Sequence, residues 1–406
     1  MIKVGVDIGN SKISCVVCDI KKDNTKQILS FISYPTKNIN KGFISNIKSI
    51  KNEISILIRS AEKESQTEIK SIYLNIPVID STSSYFNSKI KIDNEMITEL
   101  HLKKAINQSD FFETSSNYKI LMNYITNYDV DNKIFFSNPA GNFGEKISLS
   151  FYKLSVNKNI INTLKNLLND LQIHIVHYIP TPLSSALAAL SNDDKELGAI
   201  CIDLGDSSTS IAVFENAKLI FTDAINIGSK NITNDIAKGI STTKESAERL
   251  KNLYGSVLSS PSDEYEKIEI PIVSNEPNQF KQINRSTVNS IIKPRVEETL
   301  EVVWQKLKQY NLQKKQIKNL VLTGGGSQLE GIDDYAKIIF DSNVRLSRPS
   351  TIPGLKKTFT GPQFSQTIGT VFFEKEDFEI DFLKNNNKIK KNQVLSRFSA
   401  WLDQYI

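Results

Sequence analysis

The chain has 406 residues, 39% of them hydrophobic and 23% charged, which excludes global disorder, a membrane-embedded chain and a small disulfide-stapled fold. The 50 Lys and Arg against 45 Asp and Glu leave a net charge of +5, too diffuse to point to nucleic acid as a partner. Cys15, Cys18 and Cys201 lie in apolar runs and read as buried strand residues, not as a metal or redox set.

The N-terminal MIKVGVDIGN lacks the basic leader, apolar stretch and small-residue cleavage site of a secretory signal, so a cytoplasmic location is expected. No uncharged apolar run reaches the roughly 18 residues of a membrane span. The first element is an apolar strand ending in Asp7, followed by the turn Gly9-Asn10-Ser11-Lys12 and a second strand over 13–18. A helix-like run at 95–109 and strands around 118–125 and 146–154 predict a small inserted subdomain. The opening pattern returns at 199–208, where an apolar strand ends in Asp203, the turn Gly205-Asp206-Ser207-Ser208 follows, and a strand covers 210–214.

The residue types set the chemistry of this echo. Glycine lets backbone N–H groups approach an anion, and Ser or Asn adds donors without bulk. The aspartate ending each first strand suits a magnesium ion, held directly or through water. One such hairpin alone is commonly an ordinary turn, but two copies predict a site. The segment 242–255 predicts a helix stopped by Gly255, with Glu248 and Lys251 one turn apart as in an ordinary surface ion pair. The stretch 259–278 reads as an exposed strand and loop. At 320–332 an apolar strand stops at Gly324-Gly325-Gly326, continues through Ser327 and Gln328, and restarts as a helix. The three glycines offer a flat surface for a base or ribose.

Taken in order, DIGNSK, DLGDSSTS and VLTGGGSQLEG resemble the phosphate 1, phosphate 2 and adenosine motifs of the actin, Hsp70 and sugar-kinase superfamily. The finer resemblance is to FtsA, the bacterial cell-division actin homologue. It rests also on Lys41-Gly42-Phe43-Ile44, on Ile292-Lys293-Pro294-Arg295-Val296-Glu297-Glu298 before a long helix, and on an amphipathic C-terminus.

The resemblance implies an α/β, actin-like (duplicated ribonuclease H-like) two-domain fold with an FtsA-type 1C insertion subdomain. It divides the chain into subdomain 1A (1–92, 160–196 and 361–383), 1C (93–159), 2A (197–230 and 291–360) and 2B (231–290). It implies ATP and Mg as cofactors. Asp7, Gly9, Asn10, Ser11 and Lys12 would hold phosphate on one side, and Asp203, Gly205, Asp206, Ser207 and Ser208 on the other. Glu248 and Lys251 would contact the ribose, Gly324, Gly325, Gly326 and Gln328 the adenosine, and Asp7 and Asp203 the Mg through water. Ser210 stands where FtsA relatives usually carry Asp. Thr181 stands where filamentous relatives carry a Glu, which implies slow turnover, at most a slow ATPase.

After residue 382 the composition turns polar and basic, which reads as a linker over 384–392 leading to an amphipathic helix over 393–406. Val394, Leu395, Phe398, Trp401, Leu402, Tyr405 and Ile406 recur at helical spacing. Its 14 residues span about 21 Å, enough to lie on a bilayer of about 30 Å but not to cross it. Lys390, Lys391 and Arg397 add attraction to anionic inner-membrane lipid.

The implied partners are the C-terminal tail of FtsZ, further copies of the chain in filaments, the lipid surface and other division proteins, with no nucleic acid. Lys281, Arg285 and Arg295 could supply charge to the FtsZ peptide. A type IV pilus-assembly actin homologue and a sugar-kinase-type phosphotransferase stand as alternatives.

Overall fold

The computed structural model describes residues 1–40, 43–109, 114–271, 280–310, 312 and 319–378. The expected linker and amphipathic helix, and Lys41 and Gly42 of the early motif, lie outside the described residues.

The first half opens with three antiparallel strands, β1 (Ile2–Ile8), β2 (Lys12–Ile20) and β3 (Lys26–Pro35). A short hairpin of β4 (Ile39–Asn40) and β5 (Phe43–Ile44) precedes α1 (Ile47–Ser65), which Asn46 caps by accepting from the Ser49 N–H. Helix α1 buries Ile50, Ile54, Leu57, Ile58 and Ala61, one apolar stripe at helical spacing. Strand β6 (Ser71–Ile76) then pairs parallel to β1.

The insertion follows: β7 (Ser81–Met96), α2 (Glu99–Asn107), β8 (Tyr118–Val130), β9 (Lys133–Phe135) and β10 (Phe143–Asn157). Its strands form one sheet in the order β7-β10-β8-β9. By internal contacts it is a compact unit of its own, Thr82–Ser155 together with the described residues 374–378. Residues 95 and 96, expected in the helix, end β7 instead, and α2 starts at Glu99 behind the capping residue Thr98. Strand β7 alternates small polar residues with few apolar ones and stays half exposed, so its pattern is faint in the sequence.

The chain returns through α3 (Lys158–Asn169), β11 (His174–Pro180), α4 (Thr181–Ala189) and α5 (Asn192–Leu197). Strand β11 pairs parallel to β6 and completes the sheet β11-β6-β1-β2-β3.

The second half repeats this plan. Strands β12 (Ala199–Leu204), β13 (Thr209–Glu215) and β14 (Lys218–Ile225) are antiparallel. After α6 (Ser229–Gly239), α7 (Lys244–Tyr254), β15 (Lys267–Pro271), β16 (Phe280–Asn284) and α8 (Arg285–Gln309), β17 (Asn319–Thr323) pairs parallel to β12. Helix α9 (Ile332–Phe340) and β18 (Asn343–Leu346) follow, and α10 (Ser365–Phe372) closes the description. The sheet β14-β13-β12-β17-β18 has the same order and the same strand senses as β3-β2-β1-β6-β11. The echoed hairpins are therefore the corresponding strand pairs of two copies of one sheet.

Pro294 lies inside α8, not ahead of it. It removes one helical donor, and Val288, Ile292, Val296, Leu300 and Val303 hold the helix by burying along one side.

Helices α4 and α10 cross between the sheets at Gly369. A Cβ built there would stand 1.7 Å from the Ser184 backbone oxygen, so only glycine permits this approach. Gly369→Ala is expected to cost about 3 kcal/mol or more in urea unfolding, because backbone must move. Gly325→Ala, whose Cβ would make an ordinary 3.6 Å contact with Gln363, is expected to cost under about 1 kcal/mol. Equal costs would show that the crossing is not tight.

Candidate nucleotide and metal site

The two hairpin turns close identically. The Gly9 N–H donates to Lys12 O at 3.0 Å, and the Gly205 N–H to Ser208 O at 3.0 Å. Added Cβ atoms would meet those oxygens at 3.0 and 2.7 Å, so neither turn has room for a side chain. The strand registers match as well: Asp7 pairs across to Ser14, and Asp203 to Ser210. Gly324, at φ +86°, packs its backbone against Asp203, where a Cβ would sit 2.2 Å from Oδ1.

These elements line a cleft of about 780 Å³. Of the residues picked from the sequence, Asp7, Gly9, Asn10, Ser11, Lys12, Asp203, Gly205, Asp206, Ser208, Glu248, Lys251, Gly324, Gly325, Gly326 and Gln328 line it. Ser207 does not; it is 4% exposed and turned under the hairpin, where its Oγ donates to Asp206 Oδ2 at 3.0 Å.

Asp7 and Asp203 are 4% and 3% exposed, and a polar network holds both. Asn75 Nδ2 donates to Asp7 Oδ1 at 3.4 Å and to Gln366 O at 2.8 Å, while its Oδ1 accepts from Ser184 Oγ at 2.7 Å. Asp203 Oδ2 accepts from Ser185 Oγ and, at 3.0 Å, from Gln366 Nε2. Asn75, Ser184, Ser185 and Gln366 were not picked from the sequence. Asn75 is a lone amide near the end of the mostly apolar β6 and Ser184 and Ser185 a buried pair in α4, whereas Gln366 sits among the polar residues that open α10, so the sequence marks none of them.

Burial pushes the Asp7 carboxyl up to about 6, aided by the charge of Asp203 and opposed by Lys12 and Asn75. Burial likewise raises Asp203, against hydrogen bonds from Ser185 and Gln366 and the charge of Lys12. Two desolvated carboxylates in one cleft are a hard-oxygen donor set that a magnesium ion fits.

Behind the second loop, the first turn of α6 donates from the Ser229 N–H to Gly205 O at 2.9 Å and from the Lys230 N–H to Asp206 O at 2.8 Å. Gly228 makes this contact possible, since its Cβ would meet Asp206 O at 2.5 Å. The expected helix around Glu248 is α7, with Thr243 as its cap and Gly255 at its end. The Glu248–Lys251 pair is buried at its lysine end: the Lys251 side chain is 8% exposed against 47% for Glu248, and its Nζ meets Glu248 Oε2 at 2.7 Å and Thr233 Oγ1 at 3.0 Å. Burial would raise Glu248, but Lys251 and the hydrogen bonds around it hold its carboxyl below the usual range.

The basic residues considered for a partner peptide lie elsewhere. Arg285 donates to Tyr254 O at 2.8 Å and pairs with Glu330 at 2.6 Å and Glu266 at 3.4 Å. Arg295 pairs with Asp235 and Glu298. Both guanidiniums are thus engaged within the fold, whereas Lys281 sits on β16. The three cysteines are buried, and burial raises each thiol.

A sequence model of one family, described as cell division protein FtsA, matches residues 200–369. The cell division protein FtsA of Agrobacterium fabrum (strain C58) is 29% identical over 387 residues, covering 92% of this chain and 87% of that protein. Among solved structures, the PilM-PilN type IV pilus biogenesis complex matches with a TM-score of 0.63 at 14% identity, over 93% of this chain and 99% of that one. MreB5 of Spiroplasma citri bound to ADP matches with a TM-score of 0.55 at 13% identity, over 92% and 96%. At such identities these structures establish the fold, which is actin-like.

The raised Asp7 carboxyl makes a signed prediction for the nucleotide-free protein. A folded-state value of about 6 against 3.8 means that the ionised form opposes folding, so stability is lost as pH rises from about 4 through 6. Asp7→Asn removes this loss. Relative to the parent, the variant is expected to gain about 3 kcal/mol between pH 4 and pH 7.5 in urea unfolding. A constant difference between the two proteins across that range would contradict the burial argument.

Proposed function

We infer that this chain, an actin homologue of the FtsA cell-division family, binds ATP and Mg in the cleft and works as an assembling adaptor at the membrane, not as a metabolic enzyme. The observation that carries the reading is the pair of identical hairpin turns presenting two buried aspartates to one cleft. Lys12, Ser11 and the Gly9 turn hold phosphate from one side, and the Gly205–Ser208 turn from the other. Asp7 and Asp203 hold the Mg, which would neutralise phosphate charge and the two carboxylates together. Lys251 and Glu248 take the ribose, and Gly324–Gly326 the adenosine.

Turnover is slow in this reading. Thr181 lines the cleft in the first turn of α4, but it has no carboxylate to orient a water. ATP acts chiefly as a switch for self-association into filaments. The 393–406 segment holds anionic inner-membrane lipid, and the FtsZ tail is the peptide partner. A weak single anchor gains from assembly, because many copies on one filament bind together. Sequence identity of 29% to a cell division protein supports this over the pilus alternative, for which the likeness is one of fold at 14% identity.

Calorimetry with Mg-ATP tests the site: saturable binding is expected, weakened about 10- to 100-fold by Asp203→Asn. No saturation with demonstrably folded protein would end the reading. Steady turnover above about one per second would refute the switch role. For the tail, deleting 393–406 is expected to abolish sedimentation with anionic liposomes; unchanged sedimentation would exclude it as the anchor.

A further inference from the structure

Among the described residues two cations line the cleft, Lys12 and Lys251. Lys251 is bonded to Glu248 and Thr233. Lys12 is held differently. Its ammonium makes no hydrogen bond or ion pair among the described residues, and Nζ stands instead over the Phe364 ring, 5.4 Å from the centroid. It is near enough for its charge to act on both Asp7 and Asp203, yet it pairs with neither. Its backbone is fixed, since Lys12 O closes the first hairpin turn.

The ring is fixed as well. Phe364 also lines the cleft, is 8% exposed, and donates its N–H to Gly361 O at 3.1 Å. It meets Phe31 and Phe359 in T-shaped contacts, both with centroids 5.4 Å apart and with planes at 79° and 80°. Turning its face away from Lys12 would break both contacts. An aromatic face attracts a cation without using up its donors, so the N–H groups on the far side of the ammonium stay available to an anion. Released from the ring, Lys12 would be free to pair with either aspartate, in the place the nucleotide reading gives to Mg. A loose lysine would also lose rotamer freedom on meeting a phosphate, whereas one already held loses less.

We propose that Phe364 is the positioning residue of Lys12: its ring face holds the ammonium in the cleft by a cation–π contact, so that the lysine meets the triphosphate already ordered. This deepens the nucleotide reading above and rests on it.

The test places mono-, di- and trifluorinated phenylalanine at position 364 of the full chain. Fluorine nearly keeps the shape of the ring but drains its negative face, so packing on Phe31 and Phe359 is retained while the hold on a cation fades. Mg-ATP affinity by calorimetry is expected to fall stepwise along the series, about two- to fivefold by the trifluorinated ring. Phe364→Met, apolar and of similar size, is expected to lose about as much. In Lys12→Gln, which has no ammonium to hold, the same series is expected to leave affinity unchanged, a non-additivity that a purely structural role of the ring would not produce. A flat series in the parent background, or the same fall in Lys12→Gln, overturns the role of Phe364 and leaves the nucleotide site standing. If the folded parent shows no saturable heat with Mg-ATP, the nucleotide reading falls and this inference falls with it.

Discussion

Two carboxylates buried in one cleft are the constraint around which the paired sheets are arranged. Asp7 and Asp203 end the corresponding strands of two copies of one sheet, and both are almost fully buried at the cleft wall. Removing ionised carboxylates from water is costly unless each keeps hydrogen bonds or gains a cation. The fold supplies the hydrogen bonds from α4, α10 and the end of β6, and the proposed Mg would supply the cation. Burial raises both groups despite the polar network around them.

The same network couples the two halves. Ser184 and Ser185 are adjacent on α4, yet one donates to Asn75, which holds Asp7, and the other donates to Asp203. Gln366, at the start of α10, accepts from Asn75 through its backbone and donates to Asp203 through its side chain. Each crossing helix therefore touches the supports of both aspartates. The backbone approach at Gly369 packs α4 tightly on α10, so the proposed cation, in drawing the aspartates together, would act on the crossing itself. An assembly switch needs such a route from ligand to the packing of the two halves.

The hairpins and the glycine turn were legible in the sequence because their chemistry is local. An aspartate ending an apolar strand and a glycine two residues later need no distant contact to be recognised. The supports of the aspartates were not legible, since Asn75 and Gln366 meet across 291 positions, Asn75 is one amide in an apolar strand and Gln366 one of several polar residues opening α10. Pro294 misled in the opposite direction: proline argues for a helix boundary, but the buried side of α8 outweighs one missing donor. The Glu248–Lys251 pair shows why spacing alone could not decide its nature. Its i, i+3 geometry is that of any surface ion pair, and only the packing of α7 on α6 reveals that the lysine is buried.

The inserted unit gives the proposed tether a mechanical sense. Its sheet carries an aromatic cluster in which Tyr124 meets Tyr152 at 5.8 Å and Phe378, the last described residue, at 5.9 Å between ring centroids. Phe378 is 6% exposed, so the chain is fixed to the insertion just before it enters the polar segment. A tether over 393–406, as proposed, would therefore meet the insertion at Phe378 before any other described residue.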